Sequence, residues 1–444
     1  MNKPVEKGFK PFQILTFGYI GITLLTALLL MLPFAVKDPG AESLFDIFFA
    51  AFAAVSTSGL TPYDTATHYT LFGQVVILCV IQLCGIGYMF FISLALLGAF
   101  GKVSLESKMI LKETMNTSSL SDTTRLLRAA VIFTMVFEAA GAVVLFFAWV
   151  GEYGPAEAAY HAVYHSVSAF ATAGYSSFEG GIARYSGNPV VITVISVLSI
   201  AGGIGFVVLY NLKHFFLPKR GENSFLTTHT KYVLAMTAFI MAVGFVLYYL
   251  SEAKVAGFGI KTASEAFFQV MAASTTVGFS TVELSGLRET TLFLIAMLMF
   301  VGASPGSTGG GIKTTTFGIV TAFTYFNLKE KAEINIMKRE IRSETAKRAV
   351  SIMAISMFIV LLSAFILSFL EDAGFFKLLV ESVAAFSAGG LSAGITSSLT
   401  PGGKVVLMAT MFAGRVGPIT FGLLMAGGGK ESAIKYPDAG VMVG

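Results

Sequence analysis

Apolar residues in this chain come in runs of two lengths, and the two lengths alternate. Runs long enough to cross a bilayer, which takes about 20 residues for about 30 Å of hydrocarbon, lie near 13–33, 71–98, 127–150, 190–212, 230–250, 291–301 continuing to 326, 350–370 and 404–426. Shorter apolar runs sit between each odd and even member, near 44–56, 157–171, 263–275 and 376–387. The pattern predicts eight transmembrane helices and four half-helices too short to span. Non-spanning backbone is tolerated at membrane depth only where it is buried in protein or lines water, so the half-helices are expected to be re-entrant. Together with the glycine motif that follows each half-helix, the pattern makes the fold class an all-α membrane protein of four pseudo-symmetric helix–pore loop–helix repeats around one central pore. The repeats divide the chain at 1–100 (with an N-terminal tail), 101–215, 216–326 and 327–444 (with a C-terminal tail), and no Ser/Pro-rich linker separates them.

Composition agrees with a membrane class. Hydrophobic residues are 55% of the chain and charged residues 13%, against about 45–50% and about 25% in soluble domains, and mean hydropathy is +0.76. The 30 lysines and arginines fix the orientation, because cytoplasmic loops carry the excess. They cluster in the first tail, after each even-numbered span and in the last tail, which places 21 on one side and 7 on the other, with Lys313 and Arg415 inside spans. Both termini are expected in the cytoplasm. The net charge of +4 is spread over these loops and forms no stripe that would read as nucleic-acid binding. The first apolar run is a full span, not a cleavable leader. The connection at 327–348 mixes charge signs at helical spacing and is expected to extend as helix into the cytoplasm, as a solvated face or a partner-docking surface.

Each half-helix is followed by a glycine motif. The four copies read Thr57-Ser58-Gly59-Leu60-Thr61, Thr172-Ala173-Gly174-Tyr175-Ser176, Thr276-Val277-Gly278-Phe279-Ser280 and Ala388-Gly389-Gly390-Leu391-Ser392, with central glycines 115, 104 and 112 residues apart. Each has the shape of the TVGYG potassium filter, in which a ring of backbone carbonyls replaces the ion's water shell. Glycine tolerates the dihedrals that turn successive carbonyls inward. A single such motif reads equally as close helix packing, but four in register on one polypeptide suffice to close a ring. The filter candidates are Thr57, Ser58, Gly59, Thr172, Ala173, Gly174, Thr276, Val277, Gly278, Ala388, Gly389 and Gly390. The bulky residue after each central glycine (Leu60, Tyr175, Phe279, Leu391) is expected to brace its loop, and Ala388 leaves the fourth corner without a hydroxyl.

The sixth span is interrupted at 302–311 by Gly302, Ser304, Pro305, Gly306, Ser307, Thr308, Gly309, Gly310 and Gly311. Glycine and proline at this density break a helix. The break begins 24 residues after Gly278, which places it under the filter on the cytoplasmic side, as a gating plug or a passive kink. Residues 306–314 approach a phosphate-loop pattern, but Ile312 intrudes before Lys313 and no β-strand precedes it. Lys313 is expected where the helix resumes, its ammonium towards the cytoplasmic vestibule or serving equally as a simple interface anchor. Arg415 lies inside the last span, where a charge costs about 2.5–3.5 kcal/mol on the insertion scale. It is expected to stand below the filter as a barrier or tether, or to pair with Glu138. Cys79 and Cys84 read as packing residues, and His161 and His165 share a face with no third ligand near.

These motifs, with Gly414-Arg415-Val416-Gly417-Pro418 and the tail from Tyr436-Pro437 to Gly444, resemble the Trk/Ktr/HKT potassium transporters over essentially the whole chain, and among them the Ktr-type membrane subunits (the KtrB group). The resemblance implies potassium uptake across the bacterial cytoplasmic membrane, with an intramembrane gating loop at 302–311 and sodium as activator. It further implies a homodimer on a KtrA-like cytoplasmic ring of nucleotide-binding RCK subunits. Glycine at position 59 suits potassium; in plant relatives a serine there accompanies sodium selectivity. No nucleotide site, no metal site beyond the potassium filter and no enzyme constellation is read on the chain itself. A coupled secondary transporter for another cation or small solute is the alternative, although such folds usually come as two inverted repeats whereas these four run the same way.

Overall fold

The computed structural model describes residues 11–40, 43–85, 120–218, 224–331 and 333–417. The first tail, the second half of the 71–98 run, the connection up to 119 and the C-terminal stretch from Pro418 lie outside the described residues, as do the tail motif and much of the charge-based orientation. What is described is almost wholly helical. The first repeat holds α1 (Pro11–Leu30), α2 (Leu44–Ser56) and α3 (Leu71–Gly85). The second holds α4 (Leu120–Tyr153), α5 (Pro155–Phe170), α6 (Pro189–Gly203) and α7 (Phe206–Phe216). The third holds α8 (Thr228–Ala256), α9 (Ile260–Thr275), α10 (Glu289–Val301) and α11 (Thr314–Leu328). The fourth holds α12 (Ser343–Leu370), α13 (Phe375–Ser387) and α14 (Pro401–Val416).

Local chemistry starts these helices where expected. Asn188 and Thr400 accept hydrogen bonds from the first free N–H groups of α6 and α14, and a proline at the first helical position follows each, where its missing N–H costs nothing. Ser43 caps α2, its hydroxyl accepting from Asp46 N–H and donating to Asp46 Oδ2, as serine does at a helix N-cap. Segments of 29, 29 and 28 residues, Arg125–Tyr153 within α4, Thr228–Ala256 and Ser343–Leu370, are each long and apolar enough to cross a membrane. Their outer faces expose Phe147, Phe239, Phe358 and Phe365.

The packing has a cyclic order. Each short helix (α2, α5, α9, α13) packs on the long helix before it and also on the later helix of the preceding repeat. Thus α3 meets α5, α6 meets α9, α10 meets α13, and α14 returns to α2. Two buried clusters fill the ring, one around Trp149, Phe170 and Phe268, the other around Tyr19, Ile77 and Tyr164.

Two sequence expectations need correction. The 190–212 run is not one straight helix, because α6 and α7 meet at a bend of 103°. Gly205 adopts φ +99°, and the Phe206 N–H that would continue the ladder bonds Gly306 O at 2.9 Å instead. The connection after α11 is not a helical extension. Strands β1 (Ile334–Ile336) and β2 (Arg339–Ile341) pair antiparallel around Met337 and Lys338, both at positive φ. Alternating isoleucines at 334 and 336 follow the two-residue period of a strand, and that period prevails over the charge spacing.

Candidate ion-conducting site

All four short helices end in the same way. The residue after the helix (in α5 one position later, after Ala171) is left-handed: Thr57, Thr172, Thr276 and Ala388 lie at φ 55°, 50°, 57° and 52°. The next N–H reaches five residues back, from Ser58 to Ala53, Ala173 to Ser168, Val277 to Ala272 and Gly389 to Ala384, at 2.8–3.0 Å. These are Schellman caps, which usually place glycine at the left-handed position. Holding a side chain there costs about 1–2 kcal/mol, and it happens four times in register. The central glycines two residues later are left-handed again, at φ 72°, 70°, 85° and 63°, while the residue between is not. Such alternation turns successive carbonyls to one side, as a carbonyl-ring filter requires.

The four loops meet and close on themselves. A Cβ added to Gly59 would stand 2.5 Å from Ala173 O, and one on Gly174 closer still to Val277 O. One on Gly278 would stand 3.2 Å from Gly389 O, and one on Gly390 2.6 Å from Ser58 O. Each central glycine therefore abuts the carbonyl that precedes the next loop's glycine, round to the start. In every loop the two residues before the central glycine and the one after it are buried, while the central glycine and the hydroxyl residue two positions on are partly exposed. The residues that follow (Leu60, Tyr175, Phe279, Leu391) are buried behind the ring, as bracing requires.

Residues 302–313 lie against the inner side of this ring, where the short helices end. Thr308 Oγ1 donates to Phe170 O at 3.0 Å and meets the Thr172 hydroxyl at 3.1 Å; Gly310 N–H donates to Thr276 Oγ1 at 2.9 Å. Ser304 and Thr308 N–H groups bond Gly203 O and Gly202 O. A Cβ on Gly309 would fall 2.7 Å from Thr275 O, and one on Gly310 would strike Ser387 O, so only glycine fits so near the helix ends. Four helix C-termini converge here, each carrying about half a negative charge, which favours a cation.

Two side chains supply one. Lys313 Nζ donates to Gly309 O at 2.5 Å and to Gly310 O at 3.3 Å. Arg415, in the last turn of α14, donates to Thr308 O at 3.3 Å and to Cys84 O at the end of α3. It thereby joins the first and fourth repeats to the interrupting segment of the third.

The model of a family described as "Cation transport protein", TrkH, matches residues 10–428 of the 444. The chain belongs to the TrkH family. The Ktr system potassium uptake protein B of Bacillus subtilis is 33% identical to it over 440 residues, spanning 98% of this chain and 97% of that protein. Its counterpart in Vibrio alginolyticus is 34% identical over 99% and 96%. The potassium/sodium uptake protein NtpJ of Enterococcus hirae is 31% identical over 100% and 99%. The crystal structure of the potassium transporter TrkH from Vibrio parahaemolyticus shares the fold, with a TM-score of 0.72 at 17% identity over 96% of this chain and 86% of that one.

In this TrkH-family chain the twelve loop residues singled out from sequence come together in one ring, and residues 302–311 lie beside it. Lys313 does cap the resumed helix, but its ammonium turns back onto the loop carbonyls rather than towards a vestibule, because those carbonyls lie within its reach. Glu138 accepts from Gln82 at 2.9 Å, while Arg415 is engaged with backbone carbonyls. His161 and His165 hydrogen-bond Ser177 and Ser176, and both cysteines are free thiols. Sequence reading missed the left-handed threonines, since no local signal marks a threonine for that region. It also missed the ion pair of Asp46 with Lys404, both buried, between the first and fourth repeats.

Proposed function

We propose that this protein takes potassium up across the cytoplasmic membrane through a filter made of the four glycine loops. The single observation that carries the reading is the closed order of contacts, in which each central glycine abuts the next loop's carbonyl and alone of its three filter residues is partly exposed. In this reading the exposed apolar faces of α1, α4, α8 and α12 meet lipid, the short helices are re-entrant, and eight spans enclose one pore with both termini in the cytoplasm. Residues 302–311 form the gate: they occupy the inner side of the ring, and Lys313 and Arg415 place positive charge where a permeating cation would pass. The potassium uptake named for the relatives supports potassium as cargo, and the "potassium/sodium" of NtpJ supports a place for sodium as second cargo or activator. Their description as parts of a Ktr system supports a separate partner, which we propose to be a nucleotide-binding RCK ring under a homodimer.

The test is flux in liposomes holding the purified protein. Uptake of rubidium, a potassium stand-in, that exceeds sodium uptake and is competed by potassium supports the filter. Equal uptake of both ions, or uptake that requires a second solute in fixed ratio, would replace it with a non-selective or coupled transporter.

A further inference from the structure

Behind the ring, three of the four loops are tied back to their own short helix at one register. Nine residues before the central glycine stand His165, Gln269 and Glu381, all fully buried. Two residues after it stand Ser176, Ser280 and Ser392. His165 Nε2 meets Ser176 Oγ at 2.9 Å, Gln269 Nε2 donates to Ser280 Oγ at 2.8 Å, and Ser392 Oγ donates to Glu381 Oε1 at 2.5 Å. In each case the serine hydroxyl also accepts the N–H two residues further on, from Phe178, Val282 or Gly394, at 3.0, 3.3 and 2.9 Å. Three different side chains thus make one connection, from the helix to the hydroxyl that turns the chain away from the ring.

The first loop differs. Its equivalent position is Ala50, which cannot bond Thr61. The tie lies one helical turn earlier, where Tyr63 donates to Asp46 Oδ2 at 2.9 Å. The fourth is the most heavily tied, since Glu381 also accepts from Ala393 N–H at 3.1 Å and from Thr396 Oγ1 at 3.0 Å.

We propose that His165, Gln269 and Glu381 are positioning residues of the filter, each acting through its serine to hold one corner of the carbonyl ring at the diameter that discriminates potassium from sodium. The proposal rests on the potassium-filter reading above. The physical reason is that a ring of carbonyls held from shrinking onto the smaller ion coordinates it poorly, and a loop with one glycine-rich turn has little stiffness of its own. A buried polar side chain with a fixed partner supplies it, because breaking the bond leaves both groups unsatisfied. Hydrogen-bonding shape, not charge, carries the effect, since a histidine and an amide serve the second and third corners as the carboxylate serves the fourth. Glutamine at 381 keeps an acceptor for Ser392 and Ala393, and the Thr396 hydroxyl can turn to accept from the new amide.

The experiment compares wild type, Glu381→Gln, Glu381→Ala and Ser280→Ala in liposomes, reading the ratio of rubidium to sodium uptake per inserted molecule, with thermal stability on the same samples. The expected result is a ratio within twofold of wild type for Glu381→Gln and a fall of tenfold or more for Glu381→Ala. Ser280→Ala, which removes one oxygen and leaves the helix intact, lowers the ratio severalfold and carries the test if Glu381→Ala does not insert. A selective wild type with unchanged ratios in Glu381→Ala or Ser280→Ala overturns the proposal, and so does Glu381→Gln falling as far as Glu381→Ala. A wild type without potassium preference is a different outcome, because it removes the filter reading itself.

Discussion

The Thr172 hydroxyl, in the second glycine loop, meets the Thr308 hydroxyl, in the segment that breaks the sixth span, at 3.1 Å. One bond therefore joins the ring to the loop beneath it, and a second, from Gly310 N–H to Thr276 Oγ1, repeats the connection one corner along. The two corners without such a bond differ chemically: Thr57 turns its hydroxyl to Ser56 O, and Ala388 has none. The loop is thus hung from two neighbouring corners, and α14 holds it from below through Arg415.

Thr308→Val keeps the shape of the side chain and removes its hydroxyl, which frees the loop from Thr172 and from Phe170 O. Uptake without any cytoplasmic partner should rise severalfold, since a buried hydrogen bond contributes about 0.5–1.5 kcal/mol. Thr276→Val should act in the same direction, and the pair should exceed either alone. Unchanged basal uptake in the double variant would mean that the loop does not gate.

Gly59→Ser should weaken discrimination between potassium and sodium. Its Cβ would lie 2.5 Å from Ala173 O, at a φ of +72°, so the neighbouring carbonyl must leave the ring. Gly21→Ala is the control, because nothing beyond its own stretch of helix lies within 4 Å of its Cβ. Uptake of both ions in the two variants, measured per inserted protein, gives the comparison. A serine at 59 that left the ratio untouched would remove this corner from the filter.

Arg415→Ala should raise flux, since a fixed cation near a low-dielectric pathway repels permeating cations and its loss also releases Thr308 O and Cys84 O. Arg415→Lys should fall between, keeping the charge but giving up the fork that reaches two carbonyls at once. Deletion of 304–311 in frame should exceed both. Flux per inserted molecule, read beside yield, separates an opened pathway from a damaged fold: lower yield with equal flux would make Arg415 a structural tie only.

Lys404→Met should lower stability by about 3–5 kcal/mol, because it leaves the Asp46 carboxylate buried without its partner. Asp46→Asn combined with Lys404→Met should recover much of the loss. Thermal unfolding in detergent measures both. A single variant as stable as wild type would show that the pair contributes nothing at the seam.

The glycine loops, the short helices before them and the break at 302 were legible because each is written in consecutive residues, as an apolar length or a glycine cluster. The ring's order was not, since nothing local says that Gly390 abuts Ser58. The ties at His165, Gln269 and Glu381 were hidden by their chemical diversity: a histidine, an amide and an acid do not look like copies of one another until the serines they share are seen. The hairpin at 334–341 was obscured for another reason. Its turn, Met337-Lys338, lacks the Asn-Gly signal that favours two positive φ values, and abundant charges mimicked a helix face.

The ion pair of Asp46 with Lys404 spans 358 residues of sequence and sits at the seam between the first and last repeats, which no peptide segment bridges directly. During synthesis at about 5–20 residues per second, the carboxylate waits roughly 20–70 s for its partner. Until the fourth loop at 388–392 is made, three corners of the ring can exist and the fourth cannot, so the growing chain holds an open arc of glycine loops rather than a closed ring. On the potassium-filter reading, a passage for ions therefore requires the last helix to arrive and the circle to shut.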